Sequence, residues 1–361
     1  MTTMTIRCNL LPAAKRGKAP AGIEGFGGLR TDHMFVASYA DGGWREAAIM
    51  PYGAFSLMPG ATSLHYGQSV FEGAKAFGRA DGGVYVFRFD ENAKRLNNSA
   101  RILMMPEVPV ELQTEGLMRL LDVERAWCPS EPGSSLYIRP FLLGTEDVLG
   151  VRPAVTYLFC IMLSPSGAYY RGGFSRAVKL LATERFHRAA PGGTGAAKTG
   201  GNYAASLRAA ALAQSVGADQ VLYLDVTNTT IEEAGTMNHY HVTRDGVFVI
   251  PEFTDTILRS ITSLSVLELA RRGVVEARQE TIPIRSFLDD VRSGRIVEAG
   301  GLGTAAVVSP VGAYRLDDGT EIPVGDGGVG PHSRKLYEYY ARMQGGLVEA
   351  PEGWLVKTPV F

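Results

Sequence analysis

The sequence predicts an α+β protein of two domains. Three observations predict it: short apolar runs punctuated by Asp-Gly and Gly-Gly turns, amphipathic helical stretches lying between those runs, and a polar Gly- and Arg-rich break at 164–176. At 361 residues the chain is long enough for two sizeable cores. The division expected is a small N-terminal α/β domain at 1–171 with a flexible tail over 1–20, an interdomain loop at 172–185, and a larger domain at 186–361.

In chain order, MFVASYA and WREAAI flank Asp41-Gly42-Gly43, and Gly82-Gly83 precedes VYVFRF; both read as hairpins. Asp90 is a candidate cap for a helix through ENAKRLNNSARILMM, in which Ala93, Leu96, Ala100 and Leu103 share a face. Thr114 is a candidate cap for the next helix, with Leu117, Leu120 and Leu121 inward. SSLYIRPFLLG and TYLFCIMLS read as strands of a mostly antiparallel sheet. After the break, VKLLATERF is a strand, and an alanine-rich helix runs from about Tyr203 to Val216, closed by Gly217. QVLYLD, GTMNHYHVT, GVFVI, RIVEAGG and TAAVVSPV are strands, ITSLSVLELARRG is a helix, and Pro331 opens a last helix, HSRKLYEYYARMQ.

Composition narrows the function classes. The formal net charge is -1, from 36 basic and 37 acidic residues with no long block of either sign, so nothing points to nucleic acid or a membrane surface. Cys8, Cys128 and Cys160 have no paired spacing, which argues against a disulfide scaffold or cysteine zinc site and suits a reducing compartment. No run approaches the roughly 18 apolar residues of a membrane span. The N-terminal MTTMTIRCNLLPAAKRGKAP has no apolar core for secretion, so a cytoplasmic enzyme with small substrates is expected.

In GGTGAAKTGGNYAAS, glycines at 192, 193, 195, 200 and 201 bracket Lys198. A nucleotide phosphate loop is the first rival, but Ala197 stands where that motif needs its second glycine. From spacing alone, a cofactor lysine and an exposed loop lysine are equally supported.

Other motifs decide between them. LHYGQSVFEGAKAF at 64–77, SLYIRPFLLGTEDVLGV at 135–151, GGTGAAKTGGNYAASL at 192–207 and IEEAGTMN at 231–238 together resemble the branched-chain amino acid aminotransferases, which are fold-type IV pyridoxal phosphate enzymes. The resemblance runs from about residue 25 to about 311. It implies a large C-terminal cofactor-binding domain of mixed α/β, barrel-like form.

The resemblance also implies roles. Lys198 would carry the pyridoxal phosphate Schiff base and shuttle the proton; Glu233, selected over Glu232 by E-x-G-T, would pair with the pyridine nitrogen; Tyr203 would bond the phenolic oxygen. Arg88, the helix start at Ile261 and Thr262, and Thr304 would hold the phosphate. Thr236 and Ala305 would hold the substrate α-carboxylate, Phe26, Tyr66, Phe71 and Tyr137 would wall the side-chain pocket, and Arg139 would meet glutamate's distal carboxylate. Leu149 and Val151 would be lent by the second subunit of a homodimer. No metal is implied.

Two departures from the family pattern stand out. Arg259-Ser260-Ile261-Thr262-Ser263 replaces the usual Pro-Gly-Val/Ile-Thr-Arg, which makes Arg259 a candidate further contact. His239-Tyr240-His241 stands in a strand usually apolar or aromatic; two histidines are too few for zinc, and they read as surface or supporting residues. The function expected is transamination of leucine, isoleucine or valine with 2-oxoglutarate. The alternatives are a related fold-type IV enzyme acting on an unusual amino acid, or, from another class, a phosphate-loop protein disfavoured by Ala197.

Overall fold

The computed structural model describes residues 4–23, 25–169 and 174–361. The chain divides into two compact units, one of Met1–Tyr169, Ala197–Gly200 and Arg342–Phe361, the other of Tyr170–Ala196 and Gly201–Ala341.

The first unit is built on an antiparallel sheet. Its centre is the long pair Ser135–Gly144 and Tyr157–Ser166, in register from Ser135↔Ser166 to Gly144↔Tyr157. His33–Ala40 joins on one side and turns into Gly43–Pro51 through Asp41 and Gly42, both at positive φ, as an Asp-Gly hairpin requires. Ala74–Gly78 joins on the other side and turns into Val84–Phe87, which pairs with Leu355–Lys357 near the C-terminus. Helices Phe89–Ile102 and Val110–Val123 bury Leu96, Ala100, Leu117, Leu120 and Leu121 in the same core as Phe35, Ile138 and Ile161 of the sheet. Gly116 lets the second helix close on the sheet, because a Cβ there would sit 2.7 Å from the Phe35 ring.

Both expected helix caps are displaced. Asp90 lies inside the first turn of a helix whose N-cap is Arg88, and Thr114 lies inside a helix that starts after Pro109.

The second unit contains a closed six-stranded barrel, as the resemblance implied. Ile231–Ala234 pairs with Gln220–Leu224, which runs parallel to Val178–Ala182, itself parallel to Val307–Leu316. Val307–Leu316 pairs with Ile296–Gly303, that strand with Met237–Thr243, and Met237–Thr243 returns to Ile231–Ala234. Leu180, Leu222, Ile231, Val311 and Tyr314 share a core with Ile284, Phe287 and Val291 of helix Ile284–Arg292. The helix Gly200–Ser215 lays Ala209 and Ala213 on Leu181, Val221 and Tyr223 and ends at Gly217, φ 76°.

Three boundary expectations change. Inside the expected flexible tail 1–20, Ile6–Cys8 is a strand paired parallel with Gly43–Pro51. Residues 172–173 of the expected interdomain loop lie outside the described residues, and Val178–Ala182, also inside 172–185, is a barrel strand. The compact units are not contiguous in the chain either, since Ala197–Gly200 and Arg342–Phe361 group with the first unit.

The histidines of HYH are not at the surface. His239 is fully buried and His241 nearly so; both rings contact Phe287, and His239 Nε2 lies 3.1 Å from the Tyr314 hydroxyl. Alternation along the strand sends Tyr240 the other way, to a hydrogen bond with Ser333 at 2.6 Å.

Candidate active site

Lys198 belongs to the first unit, where its backbone is pinned. Its N–H donates to Ser99 Oγ at 2.8 Å and its carbonyl accepts from Phe71 N–H at 3.0 Å. Thr199 Oγ1 donates to the Ser69 carbonyl at 2.8 Å, next to a bridge between Val70 and Thr199. A lysine on a loose exposed loop is thereby ruled out. The ammonium sits 4.8 Å from the centroid of the Phe71 ring. Burial first, and then the charge of Arg95, bring the Lys198 pKa down to about 8.

Aromatic and cationic groups gather beside it in the same unit. Arg139 donates to the Tyr137 hydroxyl at 3.0 Å and lies 4.9 Å from the Phe71 centroid; its buried Nε has no partner among the described residues. Phe26 meets Tyr137 edge-on at 4.7 Å. Gly73 is required there, since a Cβ would come within 2.1 Å of the Tyr137 hydroxyl. Tyr66 donates from its hydroxyl to the Leu149 carbonyl, and Leu149 and Val151 stand 71% and 84% exposed.

Arg88 has φ 47°, a left-handed conformation costly for a residue with a Cβ. Its N–H donates to the Trp354 carbonyl at 2.8 Å, and its guanidinium lies 4.3 Å over the Trp354 ring. The arginine is therefore aimed by the end of the chain.

The second unit supplies a separate set. Glu233, Tyr203, Thr236, Arg188, Asn202, Ser206, Gly235 and Leu258 line one recess. Glu233 is buried; its Oε1 accepts from Leu258 N–H at 2.9 Å and lies 3.2 Å from the Arg188 guanidinium. Glu232 is buried too, but it bonds the Thr256 hydroxyl, and burial pushes its carboxyl up. Strand alternation separates the two acids as expected. Tyr203 sits half-buried on the helix Gly200–Ser215, whose start is fixed by reciprocal bonds of Asn202 to the Thr194 hydroxyl at 2.7 Å and carbonyl at 2.8 Å.

Ile261 and Thr262 open the helix Ile261–Arg271, where free N–H groups and the dipole favour an anion. Without Pro-Gly, the entry is held otherwise. Ser260 caps the helix through Ser263 N–H at 3.3 Å, and Asn238 accepts from Ser260 N–H at 3.3 Å and from the Ser263 hydroxyl at 2.9 Å. Arg259 faces the Phe253 ring at 5.8 Å. Thr304 and Ala305 form the turn between Ile296–Gly303 and Val307–Leu316, and Val307 beyond it has φ 65°, an outlier for a β-branched residue.

The sequence reading missed Glu72, Asn92, Arg95, Arg188 and Asn238. Glu72 had a signal, an acid inside an apolar run. Arg95 and Arg188 had none, because ordinary helix and loop sequences carry arginines.

Residues 69–312 match the amino-transferase class IV family, which is more than half of the chain. The chain belongs to that family. It is 45% identical over 339 residues to a probable branched-chain-amino-acid aminotransferase of Staphylococcus epidermidis, covering 93% of this chain and 94% of that protein. Among solved structures it resembles the branched-chain amino acid aminotransferase of Escherichia coli, with TM-score 0.74 and 28% identity, covering 91% of this chain and 99% of that one. It also resembles the branched-chain aminotransferase of the thermophilic archaeon Thermoproteus uzoniensis with norvaline, with TM-score 0.71 and 25% identity, covering 91% and 100%.

Proposed function

We propose that the protein is a pyridoxal phosphate-dependent transaminase that moves the amino group of leucine, isoleucine or valine to 2-oxoglutarate. The observation that carries this reading is Lys198, an amine with a depressed pKa pinned beside an apolar aromatic wall, in a chain of this family. Likeness to enzymes named for branched-chain substrates supports the substrate class.

The residues present fit the cofactor. A phosphopyridoxyl group needs a reactive amine, a carboxylate for its ring nitrogen and anion-binding N–H groups. Lys198, the buried Glu233 and the entry to the helix Ile261–Arg271 have that chemistry. When bound, pyridoxal phosphate supplies an electron sink for the pair left when the substrate Cα–H is removed. Lys198 Nζ takes that proton and returns it. Glu233 would pair with the pyridine nitrogen, and Arg188 and the Leu258 N–H hold its carboxylate in place. Tyr203 bonds the phenolic oxygen. Arg88, Thr304 and the N–H groups of Ile261 and Thr262 take the phosphate.

Thr236 and the Ala305 backbone hold the α-carboxylate. Phe26, Phe71, Tyr66 and Tyr137 exclude water from an aliphatic side chain, and Arg139 takes the distal carboxylate when glutamate occupies the same place. The unpartnered Arg139 Nε supports that assignment. Leu149 and Val151 complete the pocket of a second copy, so the working form is a homodimer; their exposure supports this. We read the two compact units as the two domains and place the protein in the cytoplasm. Three free cysteines support that location, and among the described residues no helix is long and apolar enough to cross a membrane.

The test is direct. Purified protein should be yellow, and borohydride should abolish the visible band while fixing the cofactor to Lys198. A panel of amino donors with 2-oxoglutarate, read by glutamate formation, should favour the three branched-chain acids. A chain that takes up no pyridoxal phosphate sinks the reading.

A further inference from the structure

The helix Phe89–Ile102 carries Asn92, Arg95 and Ser99 at spacings of three and four, which puts them on one face. Two of them hold a carboxylate. Asn92 Nδ2 donates to Glu72 Oε2 at 2.7 Å, while Arg95 donates from Nε to Oε1 at 2.6 Å and from Nη2 to Oε2 at 2.8 Å. The third holds the lysine segment, through the bond from Lys198 N–H to Ser99 Oγ at 2.8 Å. Phe71, the residue before Glu72, donates its N–H to the Lys198 carbonyl at 3.0 Å. One helix face and one strand end therefore grip both the lysine's backbone and an ion pair.

That pair is poorly explained by stability. Glu72 is fully buried and Arg95 only 11% exposed, and buried ion pairs can often be replaced by apolar residues at no loss. Its charges have a nearer use. We infer that Glu72 and Arg95 are positioning residues that set how readily Lys198 gives up its proton: Arg95 disfavours the ammonium form, Glu72 favours it, and Ser99 fixes the backbone between them. The inference rests on Lys198 being the reactive amine.

The charged surroundings agree. Apart from burial, Arg95 and then Arg139 push the Lys198 proton off, whereas Glu72 and Tyr137 hold it on. These groups face the lysine from the helix, the end of strand Ser69–Phe71 and the strand Ser135–Gly144. Burial alone would raise the Glu72 carboxyl, but Arg95 first, then the charge of Lys198 and the Asn92 hydrogen bond, outweigh it and hold it below its ordinary value.

The experiment measures acetylation of Lys198 by acetic anhydride over a pH series, on the full chain freed of cofactor, with peptide mass spectrometry as readout. R95Q should raise the midpoint by about one unit, which slows labelling about tenfold below it. E72Q should lower the midpoint, and R95K should keep both the midpoint and the pH profile of kcat. A purely structural pair would move neither midpoint, or move both the same way, and either result overturns the inference. The opposed signs are read as a pair, so both variants are checked by thermal melt, and where R95Q or E72Q fails to fold, R95M or E72M takes its place. Failure of the wild-type chain to fix cofactor at Lys198 would defeat the functional reading instead, and the opposed midpoints would still report the charge device.

Discussion

Glu232 and Glu233 are neighbours in the chain with opposite surroundings. Glu233 is held by Arg188 and a backbone N–H, whereas Glu232 meets a hydroxyl and burial favours its protonated form. E233Q should therefore lower kcat on the order of a hundredfold. E232Q, which keeps a hydrogen-bonding group for Thr256, should stay within about threefold, and equal losses would undo the assignment. His241 gives a second prediction. Burial brings its pKa from 6.5 down to about 4, so it is neutral in the fold while an unfolded histidine charges first. Below pH 6.5 the unfolded chain binds more protons, and stability falls until about pH 4, where the folded histidine also titrates. The slope is at most about 1.4 kcal/mol per pH unit. Urea midpoints compared at neutral and mildly acidic pH should show a smaller loss in H241F than in the parent.

At the scale of elements, the entry to the helix Ile261–Arg271 is held by a residue distant in the chain. Asn238, on a barrel strand, ties Leu258, Ser260 and Ser263 together with three bonds, the first a donation to the Leu258 carbonyl at 2.9 Å. N238A should weaken pyridoxal phosphate binding about tenfold or more, since buried groups lose their partners. S260A should cost only about 1 kcal/mol of stability, the usual value of a cap. Absorbance titration with the cofactor and thermal melts separate the two effects. Local sequence could not have shown this device, because Asn238 is 22 residues from the N–H it accepts. The displaced cap at Asp90 has the same cause: Arg88 is held by the Trp354 carbonyl, far along the chain, and the helix begins immediately after it.

At the scale of the whole molecule, Leu149 and Val151 are apolar and exposed, and their proposed place is a second copy's pocket. V151D should reduce activity strongly without lowering the thermal stability of the single chain, and sedimentation should report whether dimers persist. Full activity in a demonstrated monomer would refute the shared pocket.

The sequence by itself determined most of the longer strands and helices, though not the helix Ile284–Arg292 or the strand Ile6–Cys8, together with the Asp-Gly hairpins, the glycine-bracketed lysine and the family motifs. These depend on local periodicity, turn chemistry and contiguous patterns, and a chain displays them before it folds. Only the tertiary structure decided that Val178–Ala182 helps close a barrel, that the HYH histidines are buried, and that Glu72 and Arg95 stand beside Lys198. Burial and electrostatics depend on which distant residues meet, and spacing along one strand or helix carries no record of that.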